Sequence, residues 1–436
     1  MPNEIKLAGS RPGPRLWLTP AVIVTVVMAA LAALYLGGTV NSSQDLNDFP
    51  VAVVNADTGA TDPSGQHLNL GEQISDSLRK EVDADKFDLR FVSLAAAKED
   101  MDKGKLYGAI VLPSDLSQKL VALTESAVTG EAAPQPAVTV YTNPFANSYG
   151  ASIIDSFASG VLAEANQTVG QQLLATATQA GDQAASGSQS VTGTARIVLS
   201  EPMLVHVTPF KEVPDGTGAG LSAFYYALLL VLAGFTGSMI ATSLVDAQLG
   251  FTPSEIGPLY RMERRSGHSR LATLAVKWGI MTGVAVLVSS VYLGIADWIG
   301  MPLDHPWELW LFSVLSITAV AVVAQAILAL LGNLGMVVNL FLFIVLSIPS
   351  SGGTTPPEAM PPFVRFLSSF EPMHQIYLGT RSILYFGATW DSGLTRGVTA
   401  AVIALIVGVL AGTLGTRTYD LKGLTRKHSD PVDTGE

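Results

Sequence analysis

The feature that most constrains this chain is a series of apolar runs of bilayer length, the last two separated by a polar stretch broken by proline. Six segments qualify: residues 17–36, 221–244, 271–293, 309–331, 336–348 and 398–414. About 20 apolar residues in a helix cross a hydrocarbon core of ~30 Å, so the fifth run is short. Between the fifth and sixth, residues 347–386 are too polar to be a membrane helix. Ser351-Gly352-Gly353 lets the backbone turn. Pro356, Pro357, Pro361 and Pro362 cannot continue a helix, because each lacks an amide N–H. The pattern predicts a break, an amphipathic helix over 362–370 and a second over 373–385. Irregular backbone at bilayer level survives only where protein or water satisfies it. The stretch therefore sits at the outer surface or dips in behind other helices.

Charge sets the topology. Lys6, Arg11 and Arg15 precede the first run. Arg261, Arg264, Arg265 and Arg270 lie between the second and third, and Arg417, Lys422, Arg426 and Lys427 follow the sixth. Basic residues stay on the cytoplasmic side, and all three clusters agree. The first run is longer than a signal-peptide core and no small-x-small site follows it before Asn41, which points to an uncleaved anchor. The expected fold is a polytopic α-helical membrane protein with six transmembrane helices, plus an extracytoplasmic α/β domain between helices 1 and 2. Its parts are a cytoplasmic N-terminus (1–16), the first helix (17–40), the outer domain (41–220), a transmembrane domain (221–416) with an external Pro-rich hairpin (349–395), and a cytoplasmic tail (417–436). The expected location is the bacterial plasma membrane, with both termini cytoplasmic.

Of 436 residues only 14% are charged, and the net charge of −11 is unevenly placed. Residues 41–220 hold roughly 22 acids against 10 bases, the balance of a well-hydrated domain. An acidic domain lacks the basic footprint that nucleic acid requires, so no nucleic-acid partner is expected. Within it, FPVAVVNADTGA reads as a strand and a turn, in which Asn55 and Asp57 bond their own backbone. Helices over 71–82, 95–103 and 115–123 alternate with strands over 87–92, 106–112 and 137–143, which argues an α/β layer. Ser114 is the expected cap of the third helix. A long Ala/Gln/Ser-rich helix begins at Ser148, residues 180–193 read as a polar loop, and a last strand over 204–209 returns the chain to the membrane.

Signals of catalysis are weak. The chain has no cysteine, so thiolate chemistry is excluded. No phosphate-binding G-x-x-x-x-G-K-[ST], zinc-type H-E-x-x-H or nucleophile-elbow G-x-S-x-G occurs. The six histidines are scattered, and neither an enzyme activity, a metal nor a cofactor is expected. Gln325 and Asn339 are polar at mid-span, where such groups face other helices, either along a pathway or in a packing hydrogen bond. Lys277 is expected to reach the cytoplasmic surface along its own stem. No span shows a buried acid, which argues against a proton relay. Gly279 with Gly283, and Gly408 with Gly412, form G-x-x-x-G pairs; packing within the chain is the default reading, a dimer seam the sharper one.

Two stretches carry a resemblance. VAVVNADTGA, with Asn55, Asp57 and Gly59 at its turn, and FDLRFVSLAAAKEDMDKGKLYGAIVLPSDLS, with Gly104, Tyr107, Gly108 and Pro113 to Ser117, resemble the N-terminal domain of the YhgE/Pip (phage infection protein) family. The span pattern and SGGTTPP are similar to ABC-2-type exporter membrane subunits. The chain lacks the long coiled-coil insertion of many members. The resemblance implies a permease that moves cargo outward as a homodimer, with a separate P-loop ATPase supplied in trans. It implies an ATPase-coupling helix in the cytoplasmic loop, at Pro258, Tyr260, Arg261, Arg264 and Arg265, and an outer gate at Gly352, Gly353, Pro361 and Pro362. Cargo-path candidates are Gln325 and Asn339. Apolar spans suit a lipidic or amphipathic cargo. The alternative is a non-transporting scaffold or receptor for secretion or envelope assembly.

Overall fold

The chain opens on a 27-residue helix, α1 (Pro14–Val40). The structure, a computed structural model, describes residues 14–40, 42, 44–61, 65, 67–129, 132–183 and 193–424. The basic N-terminus before residue 14, most of the polar loop at 180–193, and Arg426, Lys427 and His428 lie outside the described residues. After α1 come β1 (Phe49–Asn55), a small pair β2 (Ala60–Thr61) and β3 (His67–Leu68), α2 (Leu70–Glu81), β4 (Phe87–Phe91) and α3 (Leu94–Asp102). Then follow β5 (Gly108–Leu112), α4 (Leu116–Thr129), β6 (Ala137–Thr142), α5 (Ser148–Gln183), α6 (Gly193–Ser200) and β7 (Leu204–Pro209).

Five of these strands form one sheet in the order β4-β1-β5-β6-β7. β1 runs parallel to β4 and β5, β6 is antiparallel to β5, and β7 is parallel to β6. β1 reads as a continuous apolar run because both its faces are covered. Phe49, Val51 and Val53 enter the core shared with α2, α4 and α5. Ala52 and Val54 pack instead with Ala97 and Met101 of α3. The Asx turn forms as expected: Asp57 N–H donates to Asn55 Oδ1 at 3.1 Å and Gly59 N–H to Asp57 Oδ1 at 3.3 Å. Asp57 does more than its turn requires. It also accepts from the amides of Gly71 and Ser117, both at 3.0 Å, so one carboxylate caps the starts of α2 and α4. Ser114, the expected cap of α4, instead offers its carbonyl to Thr58. The short α6 has no counterpart in the sequence reading.

The helical part comprises α7 (Leu221–Gln248), a hairpin of β8 (Ser254–Ile256) and β9 (Leu259–Arg261), α8 (Arg270–Trp298), α9 (Pro306–Leu331), α10 (Asn333–Leu340), α11 (Ser347–Ser350), α12 (Pro362–Ser368), α13 (Pro372–Tyr385) and α14 (Leu394–Leu421). A π turn at residues 341–345 joins α10 to α11. Among the described residues, five stretches are long and apolar enough to cross a membrane: 218–248, 270–298, 306–331, 333–350 and 394–421. The chain is a polytopic helical membrane protein. α9 is the central helix, half of it buried against α7, α8 and α14. The apolar part of α1, residues 21–37, lies beside the π turn, where Tyr35 O–H donates to the Ile344 carbonyl at 3.3 Å.

Two expectations about the spans are corrected. Lys277 does not reach the surface: it is buried and pairs with Asp246 Oδ1 at 2.9 Å. Asp246, near the end of α7 and two residues beyond the span read from the sequence, is largely covered, its side chain 15% exposed; an ammonium one helix away offsets its desolvation. The two glycine pairs also part company. Gly408 lies against Val322 and Val323, and Gly412 against Trp278 and Leu274, so that pair packs within the chain. Gly279 and Gly283 have no neighbouring atom within 4 Å of where a Cβ would stand.

Candidate functional site

The stretch between the last two spans is gripped by the α/β domain. Gly352 takes a φ of 75°, open to glycine and strained for other residues. A Cβ on Gly353 would run into the Phe224 ring. Their carbonyls point at one side chain: Asn147, fully buried before α5, donates from Nδ2 to Gly352 O at 3.0 Å and Gly353 O at 3.1 Å. Around this point Tyr107 O–H donates to Glu358 Oε2 at 2.7 Å, and Asn47 N–H to the Glu358 carbonyl at 2.9 Å. Arg365 spreads its guanidinium over the carbonyls of Asp45, Pro357 and Met360 and the Asn47 side chain. Ala359 and Phe386 belong to the domain's own core. Domain and hairpin thus share one packed interior.

Pro361 precedes α12 as its N-cap and Pro362 stands at the first helical position, where a missing N–H costs nothing. α12 is amphipathic as expected, turning Phe363, Phe366 and Phe370 outward and Val364 and Leu367 inward. α13 is not. Every residue from Met373 to Leu384 is buried, because its polar side, which reads as a solvent face, is covered by the α/β domain.

That covered side lines a cavity of about 480 Å³ between domain and hairpin. Five cationic side chains border it, Arg90, Lys105, Arg365, Arg381 and Arg396, with the carboxylates of Asp48 and Glu358. A second, mainly apolar cavity of about 680 Å³ lies between α9, α13 and α14. Ser369 and Arg396 line both.

Two buried titratable groups sit at the start of α13. Glu371 caps the helix, accepting from Ser347 Oγ at 2.5 Å and from the His374 amide at 3.0 Å. Burial nonetheless pushes its carboxyl up to about 7. His374 Nδ1 lies 2.8 Å from the Ser351 carbonyl; a carbonyl only accepts, so that nitrogen carries the proton. Burial, helped by the charges of Arg381 and Arg396, holds the imidazole down to about 4.

A family model described as "Protein of unknown function (DUF3533)" matches residues 20–408. The chain belongs to that family. No curated protein and no solved structure matches it. The DUF3533 match takes in the α/β domain, the hairpin and both cavities.

The remaining candidate residues of this DUF3533 chain lie elsewhere. The loop between α7 and α8, where the coupling helix was expected, is not a helix but the β8–β9 hairpin, with Ile256 facing Leu259 across Gly257-Pro258. Gly257 has φ 58° and the proline ring fixes φ near −65°, the pattern of a type II′ hairpin turn. Tyr260 projects from it, 66% exposed, Arg261 pairs with Glu263, and Arg265 lies over Phe251. Asn339 donates to the Ala324 carbonyl of α9 at 3.0 Å, a packing bond between helices. Gln325 is buried beside Asp246 and Lys277 in a small cavity of about 40 Å³. Neither residue lies against Gly352 or Gly353. The sequence reading missed Asn147, Glu371, His374, Arg381 and Arg396. Only the arginines carried a signal, being cations in or beside an apolar segment.

Proposed function

We propose that this chain is the membrane subunit of an ABC-2-type exporter that moves a lipidic or amphipathic cargo outward, as a homodimer driven by an ATPase supplied in trans. The observation that carries this reading is the junction at Ser369 and Arg396, which line both an apolar cavity among the spans and a polar one beneath a folded domain. A cargo with an apolar body and a polar end meets both environments there.

The reading takes α1 as a sixth span, both termini as cytoplasmic and the α/β domain as facing outward from a bacterial plasma membrane. A 27-residue helix rises about 40 Å, enough to cross. Exposed Trp298, Trp307 and Trp390, with Phe363, Phe366 and Phe370, lie at the domain end of the spans, as an interfacial belt would. The uncovered Gly279 and Gly283 favour a second copy against α8. The protruding β8–β9 hairpin supplies an exposed aromatic beside arginines for an ATPase to engage.

A second reading, a non-transporting scaffold for secretion or envelope assembly, is favoured by one feature. Edge strand β7 is exposed along its whole length, and an open edge can pair with another chain. Purification from native membranes in mild detergent, with crosslinking, partner mass spectrometry and native mass, separates the two. A dimer carrying a P-loop ATPase is the expected result. Secretion or envelope proteins without an ATPase would put the scaffold first.

A further inference from the structure

Arg381 is the least explained charge in the molecule. It is 8% exposed. One Nη donates to the Ala146 carbonyl at 2.5 Å, and the guanidinium lies 5.6 Å from the Tyr377 ring centre and 5.5 Å from that of Phe386. Its Nε has no acceptor, and among the described residues no carboxylate stands within ion-pair distance of it. A buried cation without a counter-ion is costly, and neutral ring faces and one carbonyl offset only part of that cost. Arg381 nevertheless lines the polar cavity together with Arg396 of α14, which is exposed and, among the described residues, has no carboxylate partner either.

The surroundings favour an anion on this side. Arg365 is held by neutral oxygens alone, so its charge is undiminished. The two carboxylates are placed otherwise: Glu358 is engaged by Tyr107, and Asp48 comes from the domain wall. The low basicity of His374 records the same positive field, since Arg381 and Arg396 both contribute to it after burial. Arg396 and Ser369 also border the apolar cavity, whose other walls are Val320, Ile376, Ala404 and their neighbours. Its size falls within the ~300–1,000 Å³ of small-molecule sites.

We propose that the paired cavities bind one lipid bearing a phosphate headgroup, with Arg381 and Arg396 on the phosphate and its acyl chain in the groove between α9, α13 and α14. This deepens the exporter reading and rests on it for the view that the lipid is cargo; binding itself does not need transport. Phosphate oxygens suit guanidinium donors.

The test uses the full chain, purified in detergent, with four probes: dioleoyl phosphatidylglycerol, dioleoylglycerol, glycerol 3-phosphate and inorganic phosphate, followed by native mass spectrometry and thermal shift. Saturable binding of phosphatidylglycerol well above the other three is the expected result. Arg396→Gln and Arg381→Gln should each weaken it about tenfold, the value of one charge-assisted hydrogen bond, and Ala404→Trp should block the chain. Arg396 lies on the surface of α14, so its variant keeps the test alive if Arg381→Gln misfolds. Equal binding of dioleoylglycerol would overturn the headgroup assignment. Equal binding of glycerol 3-phosphate or inorganic phosphate would make the site one for a soluble anion. If phosphatidylglycerol binds and no ATPase accompanies the protein, the exporter reading fails and the site stands.

Discussion

At the domain end of the helical bundle, buried polar groups answer one another across long stretches of sequence. Asn147 holds Gly352 and Gly353, Tyr107 holds Glu358, and Glu371 is held by Ser347. At the opposite end, the ion pair of Asp246 and Lys277 borders a cavity with Gln325 and Thr242, whose amide and hydroxyl find no partner among the described residues. Beyond it projects the exposed β8–β9 hairpin. A satisfied network fixes one geometry; a partly satisfied one around a charge pair leaves alternative pairings close in energy. Thr380 and Arg381 apart, whose Oγ1 and Nε find no partner among the described residues, the domain end is thus built as a joint, and the opposite end is where helices are expected to shift.

The largest effect tests that contrast at the ion pair. Lys277→Met leaves the largely covered Asp246 carboxylate without its ammonium and should destabilise the protein by about 3–5 kcal/mol. Lys277→Met combined with Asp246→Leu should recover most of the loss, read as the unfolding midpoint in detergent. A double variant as unstable as the single one would mean that the pair is not what holds α7 to α8.

At the joint, Asn147→Leu strips two buried carbonyls of their donor and should cost about 1–3 kcal/mol. Hydrogen exchange should rise over residues 350–360 and stay unchanged over 254–261. Faster exchange spread evenly over the molecule would show that the grip is not local.

The contrast between these ends also explains what could be read from the chain alone. Strands, helices and spans followed from apolar periodicity, and Gly352-Gly353 and the prolines marked the hairpin. What escaped was pairing at a distance. Asn147 meets Gly352 across 205 residues, and nothing in either neighbourhood announces it. Lys277 near a span end looks like any surface-seeking lysine until Asp246 is brought beside it. The polar face of α13 was legible as a face, but its cover comes from a domain more than 160 residues upstream, so His374 and Arg381 looked exposed. The Gly257-Pro258 turn was missed: the resemblance implied a coupling helix there, although a two-residue, glycine-first loop is a hairpin signal.

A smaller effect separates the joint's two titratable groups. Both favour the neutral form, in opposite directions of pH. Glu371, near 4.5 when unfolded and about 7 when folded, contributes stability below pH 4.5 that is lost as pH rises toward 7. His374, near 6.5 unfolded and about 4 folded, contributes above pH 6.5 what is lost as pH falls toward 4. Over the shared window from about 4.5 to 6.5 the two slopes oppose each other, so the wild type should be nearly flat there. Glu371→Gln should uncover the histidine, with stability climbing from pH 4 to 6.5 and level above. A flat profile for that variant would mean that His374 is solvated.

The smallest effect on stability is expected at the β8–β9 hairpin. Tyr260 and Arg261 are exposed, and the Arg261–Glu263 pair lies in water, where such pairs contribute little. Tyr260→Ala and Arg261→Ala should each change stability by less than about 0.5 kcal/mol, against several at Lys277. Their consequence is functional: if the hairpin engages an ATPase, both variants lower the ATPase recovered with the protein and leave lipid binding at Arg381 intact. A loss of stability comparable to that at Lys277 would show the hairpin to be part of the packed bundle, and the distinction between a fixed joint and a responsive opposite end would then have to be redrawn around α7 and α8 alone.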